Sequence, residues 1–194
     1  CLYTIKREVR FMDENMQMIK DICLKEASQN PIKIVKKLMK IENIPIHGPI
    51  HHIIDGFAFL TAMHNAGVEF DFPKALDELE IRGKKMPGAT CGQWGICGSS
   101  ASVGAALAII HQTTPLSDNE YYKDNLKLTS LALGNIAEIG GPRCCKRNAY
   151  LSLKTTIKFV EETYGILLED TDEKCEFSHL NQQCIKERCS FYHH

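Results

Sequence analysis

Ser99-Ser-Ala-Ser-Val-Gly-Ala-Ala-Leu-Ala-Ile-Ile-His-Gln112 is a run of small and aliphatic residues without a single charge. Ala101, Gly104, Ala105 and Ala108 recur along it, and such small side chains let a neighbouring backbone approach closely. The run therefore predicts a central helix. Its uninterrupted apolar stretch, 105–110, is far too short to span a bilayer.

The same logic extends in both directions. Upstream, 86–100 carries a proline, several glycines and two cysteines and reads as a shaped loop. Before it, Asp71 or Phe72 with Pro73 opens a short helix ending near Gly83, and a helix from about Ile50 to Asn65 is closed by Gly67. Periodic apolar residues from Asp13 to Lys40 predict two helices divided at Asn30-Pro31, a natural cap followed by a natural first-turn residue. Downstream, 119–139 is helical, Gly140-Gly141-Pro142 breaks the pattern, and a last helix runs from about Arg143 to Thr163. Only Tyr164–Leu168 hints at a strand. The expected fold is all-α: one compact helical domain over 1–170, with an irregular, cysteine-bearing tail over 171–194 packed on it.

The 194 residues suffice for a core without disulfides. A net charge of -1, with no basic run among aromatics, argues against nucleic acid as a partner. No signal peptide is visible, and no stretch is expected to span a membrane. Nine cysteines, two of them adjacent, lie beside long helical patterns rather than in a small loop-rich scaffold. Reduced thiols with metal-binding or catalytic roles, hence a cytoplasmic location, are expected. Cys1 in place of Met suggests a missing start, and His193-His194 reads as part of a tag.

Four segments carry chemistry. In Cys91-Gly-Gln-Trp-Gly-Ile-Cys97-Gly, dense glycines permit close approach of a ligand, and Cys97 falls where the next helix begins, with the Ser99 hydroxyl just beyond. In Gly140-Gly-Pro-Arg-Cys-Cys-Lys-Arg147, Pro142 suits the first helical position and would put Cys144 and Cys145 in the first turn, where helix dipole and cations lower a thiol pKa. Arg143, Lys146 and Arg147 at a helix N-terminus call for a negative partner, a thiolate cluster or a small anionic substrate. In the tail, Cys175, Cys184 and Cys189 look like metal ligands, although their spacing is not that of a zinc finger. In His47-Gly-Pro-Ile-His51-His52-Ile-Ile-Asp55, His51 and Asp55 are spaced i, i+4, as a base with its orienting carboxylate would be, and His52 adjoins them. Trp94 and the methionines read as packing.

Taken together, the His47-Gly-Pro-x-His-His, Pro87-Gly-x-x-Cys-Gly-x-Trp-Gly-x-Cys-Gly and Gly140-Gly-Pro-Arg-Cys-Cys-Lys-Arg elements and the cysteine tail resemble an uncharacterised prokaryotic cysteine-rich domain family. That resemblance implies neighbouring methyltransferase or radical-SAM modules. A more local likeness links Cys91–Pro115 and Pro142–Tyr150 to iron–sulfur L-serine dehydratases. Cys144 falls on a ligating cysteine of that family, and Cys91 does so after a one-residue shift. The family's Cys-Asp-Pro element is absent. The implied cofactor is an iron–sulfur cluster.

Three functions follow. In the first, Cys91, Cys97, Cys144 and Cys145 hold an iron–sulfur cluster, Arg143 and Arg147 bind a small anionic substrate, and His51 or His52 moves protons in a lyase or sulfur-handling reaction. In the second, the tail cysteines hold a structural zinc in a recruiting module. In the third, Cys144 and Cys145 act as a metal-free persulfide or redox relay.

Overall fold

The computed structural model describes residues 15–193, and the expectations for Cys1, Asp13 and His194 lie outside that range. The described residues form helices α1 (15–25), α2 (Pro31–Met39), α3 (His51–Asn65), α4 (Phe72–Lys85), α5 (Thr90–Gln93), α6 (Gly98–Ile110), α7 (Glu120–Ile139) and α8 (Cys145–Tyr164). Two short 3-10 turns, Ser178–Leu180 and Lys186–Arg188, follow in the tail, and no strand occurs among the described residues.

Local chemistry sets most boundaries as expected. The Asn30 side chain accepts from the Ile32 and Lys33 N–H groups, with Pro31 opening α2, and Asp71 caps α4 in the same way. Gly165, at φ 69°, ends α8 in the left-handed conformation that glycine adopts without strain. Two expectations need correction. The 86–100 segment contains a short helix, α5, that carries Cys91. Pro142 does not start α8: the helix begins at Cys145 and Cys144 is its N-cap.

Helix α3 is buried nearly all round, from Ile53 through Met63, and packs against α2, α4, α6 and α8. Helix α6 packs on α3, α4, α7 and α8 and is the second central element, as its small residues predicted. The two approach most closely at Gly56, whose amide donates to Ser102 Oγ at 2.9 Å. A Cβ there would lie 2.6 Å from Leu79 Cδ2 and 2.8 Å from the Ser102 carbonyl oxygen.

The tail after Gly165 is irregular but anchored. Leu168, Phe177 and Phe191 are buried in the same core as the helices, and Phe191 meets Tyr150 edge-on at 5.2 Å. Asn30 Nδ2 donates to Thr171 Oγ1 at 2.8 Å, and Lys36 pairs with Glu173 and Glu176. Apolar anchors and ion pairs together lay the tail over the start of α8.

Candidate functional site

Cys144 and Cys145 are neighbours in sequence and line different cavities. Cys144 faces the tail. Together with Cys175, Cys184 and Cys189 it lines a narrow cavity of about 20 Å³, under a wall of Phe177 and Phe191. Cys145 faces the other way, into a cleft of about 40 Å³ shared with Cys91 and Cys97.

The tail cavity is built around its sulfurs. Cys144 Sγ accepts the Arg147 backbone N–H at 3.5 Å and Asn181 Nδ2 at 3.6 Å. Cys175 Sγ accepts from the Phe177 N–H and Cys184 Sγ from the Lys186 N–H, both at 3.4 Å. The Phe191 N–H favours the charged form of Cys189 from the same two-residue offset. Lys186 adopts a left-handed φ of 49° in this arrangement. Burial, with the neighbouring thiols in support, pushes Cys175 and Cys189 up. Backbone amides thus donate to these sulfurs, and Lys146 and Arg147 line the same cavity. A bound metal would add positive charge there, since a coordinating thiol is deprotonated outright.

Among the described residues no group of three or more His, Cys, Asp or Glu is arranged so that it could hold a metal ion.

Lys146 and Arg147 close the inner side of this cavity, 1% and 3% exposed, so the cations at the start of α8 do not simply face water. Burial pulls Lys146 down to about 8, against the opposing pull of Asp55 and the cysteines, and its Nζ lies 5.0 Å over the Phe177 ring. Arg147 donates to the Gly140 carbonyl at 2.8 Å and the Pro142 carbonyl at 3.0 Å, fixing the turn ahead of Cys144.

In the cleft, Cys97 is buried at the N-cap of α6 and accepts from Asn148 Nδ2 at 3.3 Å. Cys91 is exposed on α5, and exposed Arg143 also lines the cleft. A continuation of about 320 Å³, bounded by Leu133, Ile136 and the Gly140-Gly141 turn, opens from the same Cys91, Cys97, Arg143 and Asn148. His52 closes one side and packs so tightly on Gly98 that a Cβ there would lie 1.9 Å from its ring.

Several sequence expectations change. Helix starts and nearby cations do not lower the pKa of Cys145 or Cys97, because burial pushes Cys145 up to about 11 and also raises Cys97. The His51–Asp55 pair does not form: the shared face points into the core, where His51 is 1% and Asp55 0% exposed. His51 Nε2 lies 3.1 Å from the Pro45 carbonyl oxygen and 3.3 Å from Lys146 Nζ, and His51 Nδ1 and Asp55 Oδ1 have no hydrogen-bond partner. Burial drives His51 down to about 3 and Asp55 up to about 8. Ser99 donates its hydroxyl to Asp55 from the cleft wall. Of His51, His52 and Asp55, only His52 lines the cleft. Trp94, expected to pack, is 62% exposed beside it.

The seven cysteines expected as ligands therefore divide into four and three, and not into the expected sets of Cys91, Cys97, Cys144 and Cys145 against the tail trio. Sequence reasoning missed Asn148 and Asn181, which hydrogen-bond the sulfurs, although Asn148 stands directly after Arg147. It also passed over a legible signal, Cys175-Glu-Phe177 and Cys189-Ser-Phe191, in which each cysteine precedes by two residues the phenylalanine that anchors the tail.

The model of a family of unknown function (DUF5714) matches residues 19–192. The chain belongs to that family. The match spans both cavities and all seven of these cysteines. No curated protein and no solved structure matches the chain. No helix among the described residues is long and apolar enough to cross a membrane.

Proposed function

We propose that this DUF5714 chain is an iron–sulfur protein that handles sulfur. Cys144, Cys175, Cys184 and Cys189 ligate one cluster, and the Cys91–Cys97–Cys145 cleft receives a small anionic substrate through Arg143. The observation that carries the reading is the ring of four cysteines around one cavity, each sulfur served by a backbone N–H. The burial-raised thiols of that ring make sense once a cationic centre sits among them.

Four protein ligands leave no open iron, so this arrangement favours an electron-transferring or stabilising cluster over a Lewis-acid lyase. The assignment differs from the ligand set expected from sequence, because Cys91, Cys97 and Cys145 belong to the other cavity.

Iron, acid-labile sulfide and visible absorption of anaerobically prepared protein test the reading. About four irons and four sulfides per chain are expected for a cubane cluster, with loss of the absorption band in Cys175→Ala and Cys184→Ala but not in Cys91→Ala. A colourless protein containing one zinc per chain would overturn it.

A further inference from the structure

The cleft holds three thiols that the cluster does not use, and their placement is graded. Cys91 is exposed at the mouth, Cys97 is 7% exposed behind it, and Cys145 is partly buried. Cys97 and Cys145 line the same cleft. Each sits at the start of a long helix, and those two helices, α6 and α8, pack together. Asn148, 5% exposed, reaches from the first turn of α8 to hydrogen-bond Cys97 Sγ, so one residue bridges the two helix starts at the sulfur. Gly92 and Gly95 follow Cys91, and a Cβ on either would meet nothing within 4 Å, so the surface beside Cys91 is open to a ligand. Arg143 stands exposed beside the thiols.

We propose that Cys97 and Cys145 form a redox-active dithiol, reached from solvent through Cys91, that reduces a small anionic disulfide held by Arg143. This deepens the sulfur-handling half of the reading above and does not depend on the cluster. The Cys91 thiolate, its proton released to solvent, attacks one sulfur of the substrate RS–SR. A Cys91–S–S–R bond forms, and RS⁻ leaves and takes a proton. The Cys97 sulfur then attacks the Cys91 sulfur, displacing the second RS⁻, and gives a Cys91–Cys97 disulfide. Attack by Cys145 on the Cys97 sulfur returns Cys91 to the thiol and leaves Cys97–Cys145 joined. Two cysteine thiols lose two electrons and two protons, and the substrate disulfide gains them as two thiols.

The test uses the full chain, reduced under anaerobic conditions, with glutathione disulfide as a charged probe and 2-hydroxyethyl disulfide as a neutral one. The released thiol is counted and the linkages are mapped by peptide mass spectrometry with fragmentation. Wild-type protein should release about two thiols per chain and carry a Cys97–Cys145 link. Cys145→Ser should stop at a Cys91–Cys97 link. Cys97→Ser should stop at a mixed disulfide on Cys91 with about one thiol released, and Cys91→Ser should react at least tenfold more slowly. Arg143→Gln should slow the charged probe severalfold and leave the neutral one unchanged. Absence of the Cys97–Cys145 link in the wild-type chain overturns the proposal, as does full thiol release from Cys97→Ser. The wild-type linkage map is decisive even if a variant fails to fold. Iron and sulfide measured on the same sample report separately on the cluster, and a cleft in which no thiol reacts would sink the sulfur-handling reading itself.

Discussion

Asp55 shows how desolvation governs single residues here. Its unfolded pKa is near the ordinary carboxylate value of about 3.9, whereas in the fold burial raises it to about 8. Below about pH 4 both states carry the proton. As pH rises towards 8 the unfolded chain releases it and the folded chain does not, so this residue lowers stability across that interval. Asp55→Asn should therefore gain stability relative to wild type on going from pH 5 to pH 7.5, by at least about 1.4 kcal/mol, the equivalent of one pKa unit. Urea melts at both pH values check this. The comparison must be between the two proteins, because His51, held neutral down to about 3, contributes a slope of the opposite sign below pH 6.5. None of this was legible in the sequence: i, i+4 spacing put His51 and Asp55 on one face but not which way the face points. The cysteines were more legible. Their residue type announced their chemistry, but the division into two groups depends on the side chains of Cys144 and Cys145 diverging, which spacing alone does not specify.

Helices were the most readable level, because caps and breakers act locally. Asn30 and Pro31, Asp71 and Pro73, and Gly165 mark their boundaries by mechanisms that need no tertiary context. Asn30→Ala should cost about 1 kcal/mol for the lost cap and somewhat more for the broken bond to Thr171, as a thermal melt would show. The 99–112 run announced a central helix for a reason the packing bears out: small residues on α6 admit α3, and Gly56 on α3 answers them. Gly56→Ala should therefore destabilise by about 1–3 kcal/mol through overpacking against Leu79 and the Ser102 carbonyl, measurable by chemical denaturation. The start of α8 was harder to read, since Pro142 is a good first-turn residue and Cys144 an uncommon cap. Only the Cys144 Sγ contact with the Arg147 N–H shows that the helix begins one residue after the first cysteine.

At the scale of the whole molecule, the tail joins the helical body through apolar anchors, ion pairs and the proposed cluster. Removing the metal should release the cluster's share of that attachment and leave the α3–α6 core intact. Hydrogen exchange before and after anaerobic chelation should show faster exchange over residues 175–191 and unchanged protection in α3. Phe191→Ala, which removes a buried anchor, should destabilise the fold by about 3 kcal/mol and lower cluster retention in the same preparation. The peptide bond between Cys144 and Cys145 is also the partition between two chemical compartments. Inserting or deleting one residue between Pro142 and Cys145 would therefore do more than lengthen or shorten a turn. It would rotate the wrong sulfur into each chamber, so both compartments should fail together. By the same geometry, a bivalent arsenical, which needs two sulfurs converging on one atom, should pass over this adjacent pair and capture Cys97 with Cys145 instead.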